Sequence, residues 1–470
     1  MRYDLVVIGG GSAGLVAAKF ALGLGKRVAI VEKNKLGGDC THFGCVPSKA
    51  LLRTSHMAHN IKELNEFGLK MDTSSLDTSK AMSHIRQIVS AVYSSETPDI
   101  FREEGIDIIE GGATFIDNHT ISVSNENIQA DKYILATGSS PQIPDIKGLE
   151  DINYLTNETI FDLNELPSSV AVLGGGPIGL ELASALNGLG VDVAIIEMSK
   201  RILPREDREL SNMLSAKLDE DEIKVITNTK VISVEQKNGF VTLNTEGEID
   251  ELHAERLLVA VGRKPNINNL GLENAGIEYD NKGVKVDKYL RTTAKNIYAA
   301  GDIVPPYQFT HVADYEAVTA ARNALIPVFK KSVDYSNIGW CTYTEPELAR
   351  CGLTEDEAIA EYGRDCIRVF KYSYNHVDRA ITDGNTVGMA KYITNKKGYL
   401  IGIHILGSRA GEVIHEPMLA KKFKIPFQKI ADMVHIYPTY SYAVRQPSKY
   451  AIIEILLDNP IVKFIKGIKN

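Results

Sequence analysis

Short apolar runs alternate along this chain with glycine turns and helical stretches. Leu5-Val6-Val7-Ile8 reads as a buried strand; it runs into Gly9-Gly10-Gly11-Ser12-Ala13-Gly14 and then an Ala/Leu-rich helix. A second apolar run, Val28-Ala29-Ile30-Val31, ends in Glu32. The whole pattern then returns. Val170-Ala171-Val172-Leu173 leads into Gly174-Gly175-Gly176-Pro177-Ile178-Gly179, a helix, and Val193-Ala194-Ile195-Ile196-Glu197.

Between the two copies, Thr54 to about Glu104 is helical in character, and Gly111 to Val123 reads as short strands and turns. Tyr133-Ile134-Leu135-Ala136 is a strand ending in the small-residue turn Thr137-Gly138-Ser139-Ser140-Pro141. Ile297-Tyr298-Ala299-Ala300-Gly301-Asp302 repeats that strand-then-turn pattern, now with an acid, and Val259 to Pro265 reads as another strand and turn.

Each repeat is strand, G-x-G-x-x-G, helix, strand, acid. Such glycines permit a tight turn and the close approach of a pyrophosphate to a helix N-terminus, while the acid accepts from ribose hydroxyls. Both copies keep their glycines and acid, so two working dinucleotide sites are expected. Glu197 favours NADH, because a carboxylate repels the 2′-phosphate of NADPH. Lys200 and Arg201 follow closely and soften that preference, leaving NADPH open.

Between these copies lies Gly37-Gly38-Asp39-Cys40-Thr41-His42-Phe43-Gly44-Cys45-Val46-Pro47-Ser48-Lys49. A regular helix separates positions five apart by roughly 7.5 Å of rise, whereas disulfide Cα atoms stand about 4.4–6.8 Å apart. A bonded pair therefore needs a break in the helix, for which Gly44 offers unusual dihedrals. Two free thiols near a turn is the other reading of these residues alone.

Composition narrows the class. A chain of 470 residues implies roughly two to four domains. With 44% hydrophobic and 24% charged residues it is globular, and a net charge of −8 argues against a general nucleic-acid surface. No run of about 18 apolar residues is present, so no transmembrane segment is expected. With Met1-Arg2-Tyr3-Asp4 running straight into a strand pattern, no signal peptide is expected. Five cysteines make no secreted disulfide framework. A cytoplasmic protein is expected. Cys341, Cys351 and Cys366 read as packing or loop residues, and no resident metal site is expected.

With C-x4-C-V-P-S-K, A-T-G, V-G-R-x-P and A-G-D standing in order around the two fingerprints, the chain resembles the class I pyridine nucleotide-disulfide oxidoreductases, which include lipoamide dehydrogenase, glutathione reductase and mercuric reductase. The resemblance implies an α/β fold with two Rossmann-like dinucleotide-binding domains plus a C-terminal α+β dimerisation domain. It places an FAD-binding domain at 1–148, an NAD(P)-binding domain at 149–270, a return to the central FAD region at 271–337 and an interface domain at 338–470.

It also implies FAD against Gly9, Gly11, Ser12, Ala13, Gly14, Glu32 and Lys33. Gly38, Asp39, Lys49 and Ala113 would add to that site, with Thr137, Gly138, Ser139, Asp302 and His311 nearby. NADH would lie against Gly174, Gly176, Ile178, Gly179, Glu197 and Gly262. Cys45 would be the flavin-facing thiolate and Cys40 the interchange thiol, with Lys49 near the flavin and paired with Glu181. Read without the resemblance, Glu181 is an ordinary solvated helix residue.

Near the end the pattern breaks. Lipoamide dehydrogenases and glutathione reductases carry H-P-T-x-S-E, whose His is the catalytic base oriented by the Glu. This chain has Tyr437-Pro438-Thr439-Tyr440-Ser441-Tyr442. A phenol with a pKa of about 10 keeps its proton at neutral pH, and loss of a general base typically costs about 10²–10⁴ in rate. His435 is a candidate substitute. Mercuric reductases resemble the chain in having Tyr at the position of Tyr437, but they usually keep Glu where Tyr442 stands and carry paired C-terminal cysteines that are absent here. The basic, apolar stretch Ile452–Lys469 reads either as a contact for an anionic membrane surface or a partner, or as a terminal helix packed on the dimer; Pro460 interrupts any long amphipathic helix.

The expected protein is an FAD-dependent NAD(P)H oxidoreductase passing electrons through the Cys40–Cys45 disulfide to a disulfide or metal-ion acceptor. The resemblance makes it a homodimer with an active site shared across the interface. Two alternatives stand beside it: a diaphorase-like enzyme reducing quinone or oxygen without the dithiol, and a redox-sensing subunit.

Overall fold

The computed structural model describes residues 2–63, 68–69, 76–326, 328–458 and 462. The chain divides into two compact units, Met1–Ser168 with Arg256–Asp334, and Ser169–Glu255 with Tyr335–Asn470.

In the first unit the run Leu5–Ile8 is the heart of a strand, Arg2–Ile8, that is buried on both faces. Such strands are the ones found inside parallel sheets. It pairs in parallel with Val28–Glu32 on one side (Val6 opposite Ala29) and with Glu126–Leu135 on the other (Val6 opposite Tyr133). Asp107–Glu110 extends the sheet beyond Val28–Glu32. Ile297–Ala299 pairs in parallel with Glu126–Leu135, bringing the A-G-D turn beside the A-T-G turn. Helices Ser12–Gly23 and Thr310–Leu325 cover the sheet through their alanine-rich faces, where small side chains allow close approach. Arg263–Pro265 pairs antiparallel with Ser139–Pro141 in this same unit.

The second unit repeats the parallel arrangement with Ser169–Leu173, Asp192–Ile196 and Lys224–Ile226. Its helix Pro177–Gly188 starts with Pro, whose missing N–H costs nothing at that position. The C-terminal part is a five-stranded antiparallel sheet in the order Gly339–Thr342, Glu347–Gly352, Leu400–Gly407, Met389–Asn395, Ile367–Ser373. Its core holds Phe370, Tyr374, Tyr392 and Phe427, with the last two rings stacked at 4.7 Å. The final helix, Tyr442–Asp458, contains Pro447. Pro460 and residues 463–470 of the basic stretch lie outside the described residues. Among the described residues no helix is long and apolar enough to cross a membrane.

Candidate functional site

The two fingerprints match at the level of single atoms. Gly9 has φ +107° and Gly174 φ +113°, dihedrals that favour glycine. A Cβ on Gly14 would collide with the Gly9 carbonyl oxygen, and one on Gly179 with that of Gly174. Glu32 accepts from the N–H groups of Gly10 (2.6 Å) and Asn34 (2.7 Å); Glu197 accepts from Gly175 (2.7 Å) and Ser199 (2.7 Å). Each carboxylate thus braces the glycine turn, and its remaining lone pairs are available to a sugar hydroxyl.

Gly11 and Gly176 cap the two helices without a side-chain hydrogen bond, and a Cβ on Gly176 would meet nothing within 4 Å. Uncapped first-turn N–H groups beside an open glycine turn suit a pyrophosphate. The residues present therefore fit a dinucleotide at each fingerprint. Near the second, the Arg201 guanidinium donates to the carbonyls of Leu203 (3.0 Å), Pro204 (2.6 Å) and Glu206 (3.1 Å). Ile178 is part-buried on the fingerprint helix, and Gly262 has φ +128°.

The cysteine segment is tied to the first fingerprint. Gly37 N–H donates to the Gly10 carbonyl at 2.9 Å, and a Cβ on Gly38 would stand 2.8 Å from the Gly11 Cα. The short helix Gly38–His42 carries Cys40 and stops at Phe43, and Cys45 opens the helix Cys45–Glu63. The break expected between the cysteines is therefore present, but Gly44 is not a positive-φ glycine. A Cβ there would stand 2.8 Å from Asp39 Oδ2 and 3.1 Å from the Asp39 carbonyl oxygen.

Cys40 and Cys45 are not joined by a disulfide in this structure; Cys40 is half-buried and Cys45 exposed. Cys45 Sγ lies 3.3 Å from Thr310 Oγ1. The neighbouring Cys45 and burial push the Cys40 thiol well up, against smaller lowering effects from the hydroxyls of Thr310 and Ser12. Lys49 lies one turn beyond Cys45, its Nζ donating to Ser48 Oγ at 3.4 Å.

Behind the cysteines lies a charged cluster. Arg263, 9% exposed, donates from Nε to Ser139 Oγ (2.7 Å) and reaches Asp39 Oδ1 with a terminal nitrogen (3.1 Å). Ser139 Oγ donates to Asp302 Oδ2 at 2.7 Å. Burial pushes the Asp302 carboxyl up, and burial together with Asp39 does the same to Glu158. Thr137 Oγ1 donates to the Asn266 carbonyl at 2.8 Å, and Asn266 N–H to that of Gly138 at 2.9 Å, so the A-T-G turn is pinned. Lys33 is exposed and Ala113 buried at a strand start. His311 is stacked on Phe309 at 5.5 Å.

In the second unit Glu181 is buried and accepts from Tyr343 N–H at 2.9 Å. The solvated-helix reading is corrected: the residue faces the strand end, not water. Tyr437 is exposed and donates to Asp378 Oδ2 at 2.9 Å, a bond that raises its pKa further. The Tyr442 ring meets the Tyr437 ring edge-on at 5.3 Å. The His435 side chain is 3% exposed, with Nε2 2.8 Å from Glu416 Oε1 and Nδ1 3.1 Å from the Met433 carbonyl. Both ring nitrogens therefore have a partner within the C-terminal part of the chain.

Sequence reasoning did not assign Thr310, Arg263 or Asn157 to the cysteine site. Arg263 was visible inside V-G-R-x-P; Thr310 and Asn157 carried no signal, since only the fold brings them near the cysteines.

Residues 3–317 match the pyridine nucleotide-disulphide oxidoreductase family, and residues 338–447 match the dimerisation domain of the same family. A mercuric reductase of Staphylococcus aureus is 36% identical over 94% of this chain and 81% of its own length. A dihydrolipoyl dehydrogenase of Bacillus subtilis is 35% identical over 96% of each chain. Among solved structures, the Cu(II) complex of the HOCl-induced flavoprotein disulfide reductase RclA from Escherichia coli superposes with a TM-score of 0.86 at 29% identity, covering 96% of this chain and 99% of that one. With both fingerprints, the cysteine segment and the dimerisation domain in one polypeptide, the chain belongs to the pyridine nucleotide-disulphide oxidoreductases, a family of flavoprotein enzymes whose membership implies FAD and a pyridine nucleotide.

Proposed function

We propose that this enzyme is a cytoplasmic homodimer that takes electrons from NADH and delivers them through Cys40 and Cys45 to a metal ion or a reactive disulfide. The observation that carries the reading is the Cys40–Cys45 pair itself, set on either side of a helix break, with Cys45 Sγ 3.3 Å from Thr310 Oγ1 and the segment packed on the first fingerprint turn. FAD, bound along that turn, would supply the two-electron relay between the nicotinamide and the cysteines.

The chain's own residues do the rest. The Cys40–Cys45 disulfide takes up two electrons and two protons to become the dithiol. With a disulfide acceptor, the Cys40 sulfur attacks one acceptor sulfur and expels the other as a thiolate. Cys45 then attacks Cys40, re-forming the internal bond and releasing the second thiolate; the two protons of the dithiol end on the two leaving groups. With Cu(II) as substrate, two ions become Cu(I) as the dithiol returns to the disulfide and releases two protons. Thr310 stabilises the Cys45 thiolate by donating its hydroxyl proton.

A metal-ion acceptor suits the C-terminal segment. Oxidising a dihydrolipoyl group needs a base to take the thiol proton, and Tyr437, hydrogen-bonded to Asp378, holds its own proton instead. The likeness to a mercuric reductase and to a Cu(II)-complexed RclA points the same way. This reading takes NADH as the preferred donor because Glu197 is braced at the strand end and Arg201 donates to backbone carbonyls.

The test is an anaerobic NADH titration of the FAD-loaded protein, followed by Cu(II), Hg(II), disulfide and quinone acceptors. A long-wavelength thiolate-to-flavin absorption band at two electrons, with turnover lost in Cys40→Ser, supports the reading. Direct bleaching without the band, and quinone turnover that survives Cys40→Ser, overturns it in favour of a diaphorase.

A further inference from the structure

Three carboxylates, Asp39, Glu158 and Asp302, share the field of the single guanidinium of Arg263. Of these, Asp39 bears directly on the cysteines. It stands one residue before Cys40 on the same short helix, and its Oδ2 covers Gly44, the residue before Cys45. Its other oxygen, Oδ1, is held by Arg263 at 3.1 Å and by Asn157 Nδ2 at 3.3 Å. Asn157, itself buried, also places Nδ2 3.4 Å from the carbonyl of Phe43, where the short helix ends. The loop between the two cysteines is therefore gripped at both ends through one carboxylate and one amide.

We propose that Arg263 is a positioning residue for the dithiol, holding Asp39 so that Cys40 and Cys45 stay within bonding reach. This rests on the dithiol reading above and adds a residue that touches neither sulfur. The physical case is that an arginine this buried is desolvated only where its partners repay it. Here they are the backbone and hydroxyl of Ser139 on the paired strand and the carboxylate of the cysteine helix. The strand residue is rigidly registered, with Arg263 opposite Pro141 and Pro265 opposite Ser139, so the grip comes from the sheet side of the unit and not from a loop. Holding two reacting groups in place raises the effective concentration of one for the other. Releasing Asp39 should therefore favour the open dithiol over the closed disulfide.

The experiment uses the full-length, FAD-loaded protein equilibrated in glutathione redox buffers without NADH or acceptor. Alkylation and mass spectrometry then read the fraction of the Cys40–Cys45 disulfide. Arg263→Met is expected to shift the closure equilibrium about tenfold toward the dithiol, as is Asp39→Asn, while the double variant shifts it no further than either alone. Arg263→Lys, which keeps the charge but loses the fork, should recover only part of the shift. Flavin absorbance and far-UV circular dichroism check that each variant is folded and loaded; if Arg263→Met does not fold, Asp39→Asn and Arg263→Lys decide. Variants that keep FAD and close within about twofold of the parent overturn the proposal, as does a double variant whose shift is the product of the two single shifts. A parent protein that forms no Cys40–Cys45 disulfide in any buffer would instead overturn the dithiol reading, a result distinguishable from both.

Discussion

The hydroxyl of Thr310 lies 3.3 Å from the sulfur of Cys45, although 265 positions separate them in the chain. Thr310 opens the helix Thr310–Leu325, whose N-cap Phe309 supplies no side-chain hydrogen bond. A cysteine beside a hydroxyl donor and a helix N-terminus is set up to ionise, since both stabilise the thiolate over the thiol.

Thr310→Val keeps the shape and removes the donor. A hydrogen bond to a charged group is worth about 1.5–3 kcal/mol, so the substitution should lower the thiolate population of Cys45 by about tenfold or more near neutral pH. Thr310→Ser should restore most of it. Iodoacetamide labelling of the reduced protein across pH 6 to 10 measures this directly, and superposable profiles for parent and Val variant would remove Thr310 from the mechanism.

The braced carboxylate of Glu197 leads to a prediction about nucleotide choice. Glu197→Gln removes the charge that repels a 2′-phosphate and keeps an acceptor for one of the two backbone N–H groups. The ratio of kcat/KM for NADH over NADPH should fall by about tenfold. Arg201→Gln, by contrast, should leave that ratio where it is and lower Tm, because Arg201 spends its donors on the carbonyls of residues 203, 204 and 206. A loss of NADPH use in Arg201→Gln would show that this arginine reaches the nucleotide after all.

Tyr437 carries a prediction of opposite sense for two acceptors. Its phenol is held above its ordinary pKa by the bond to Asp378, so it stays neutral and contributes no rate step below about pH 10. Tyr437→Phe should therefore slow Cu(II) reduction by well under tenfold. Tyr437→His combined with Tyr442→Glu should raise dihydrolipoamide turnover by about 10²-fold, the lower end of what a general base supplies, with a new step in the pH profile near about pH 6.5. If Tyr437→Phe abolished metal reduction, the phenol would have a role that its proton inventory does not explain.

How far the sequence carried can be seen from particular residues. Glu32 and Glu197 were legible, because a fingerprint packs strand, glycine turn and acid into about thirty consecutive residues and local rules fix the contacts. The cysteine break was legible from helix geometry, but the crowding at Gly44 was not: a Cβ there would meet Asp39, a contact that no dihedral rule contains. Thr310 and Asn157 were invisible for a related cause. Each reaches the cysteine segment from more than a hundred residues away in the chain, through sheet register and helix placement. Glu181 looked solvated because a helical glutamate usually is, and only the strand end at Tyr343 buries it.

The C-terminal sheet holds a pH-dependent element of its own. His404, fully buried in the strand Leu400–Gly407, has Nε2 2.8 Å from the Leu353 carbonyl, and Nδ1 has no hydrogen-bond partner among the described residues. Burial holds its pKa down to about 4, against a smaller opposing pull from Asp207. The folded protein thus keeps His404 neutral while the unfolded chain protonates it below about pH 6.5. Between these values the unfolded state binds more protons, so stability falls as pH falls. The contribution is fully present above about pH 6.5 and is lost by about pH 4, a change of about 3 kcal/mol. His404→Gln keeps a donor for Leu353 and cannot titrate. Its urea midpoint should be lower than the parent's at pH 7.5, and the gap should narrow or reverse by pH 4.5. Parallel midpoints for the two proteins across that range would mean that His404 already carries its proton in the fold, and the acid sensitivity would have to be sought among the buried carboxylates.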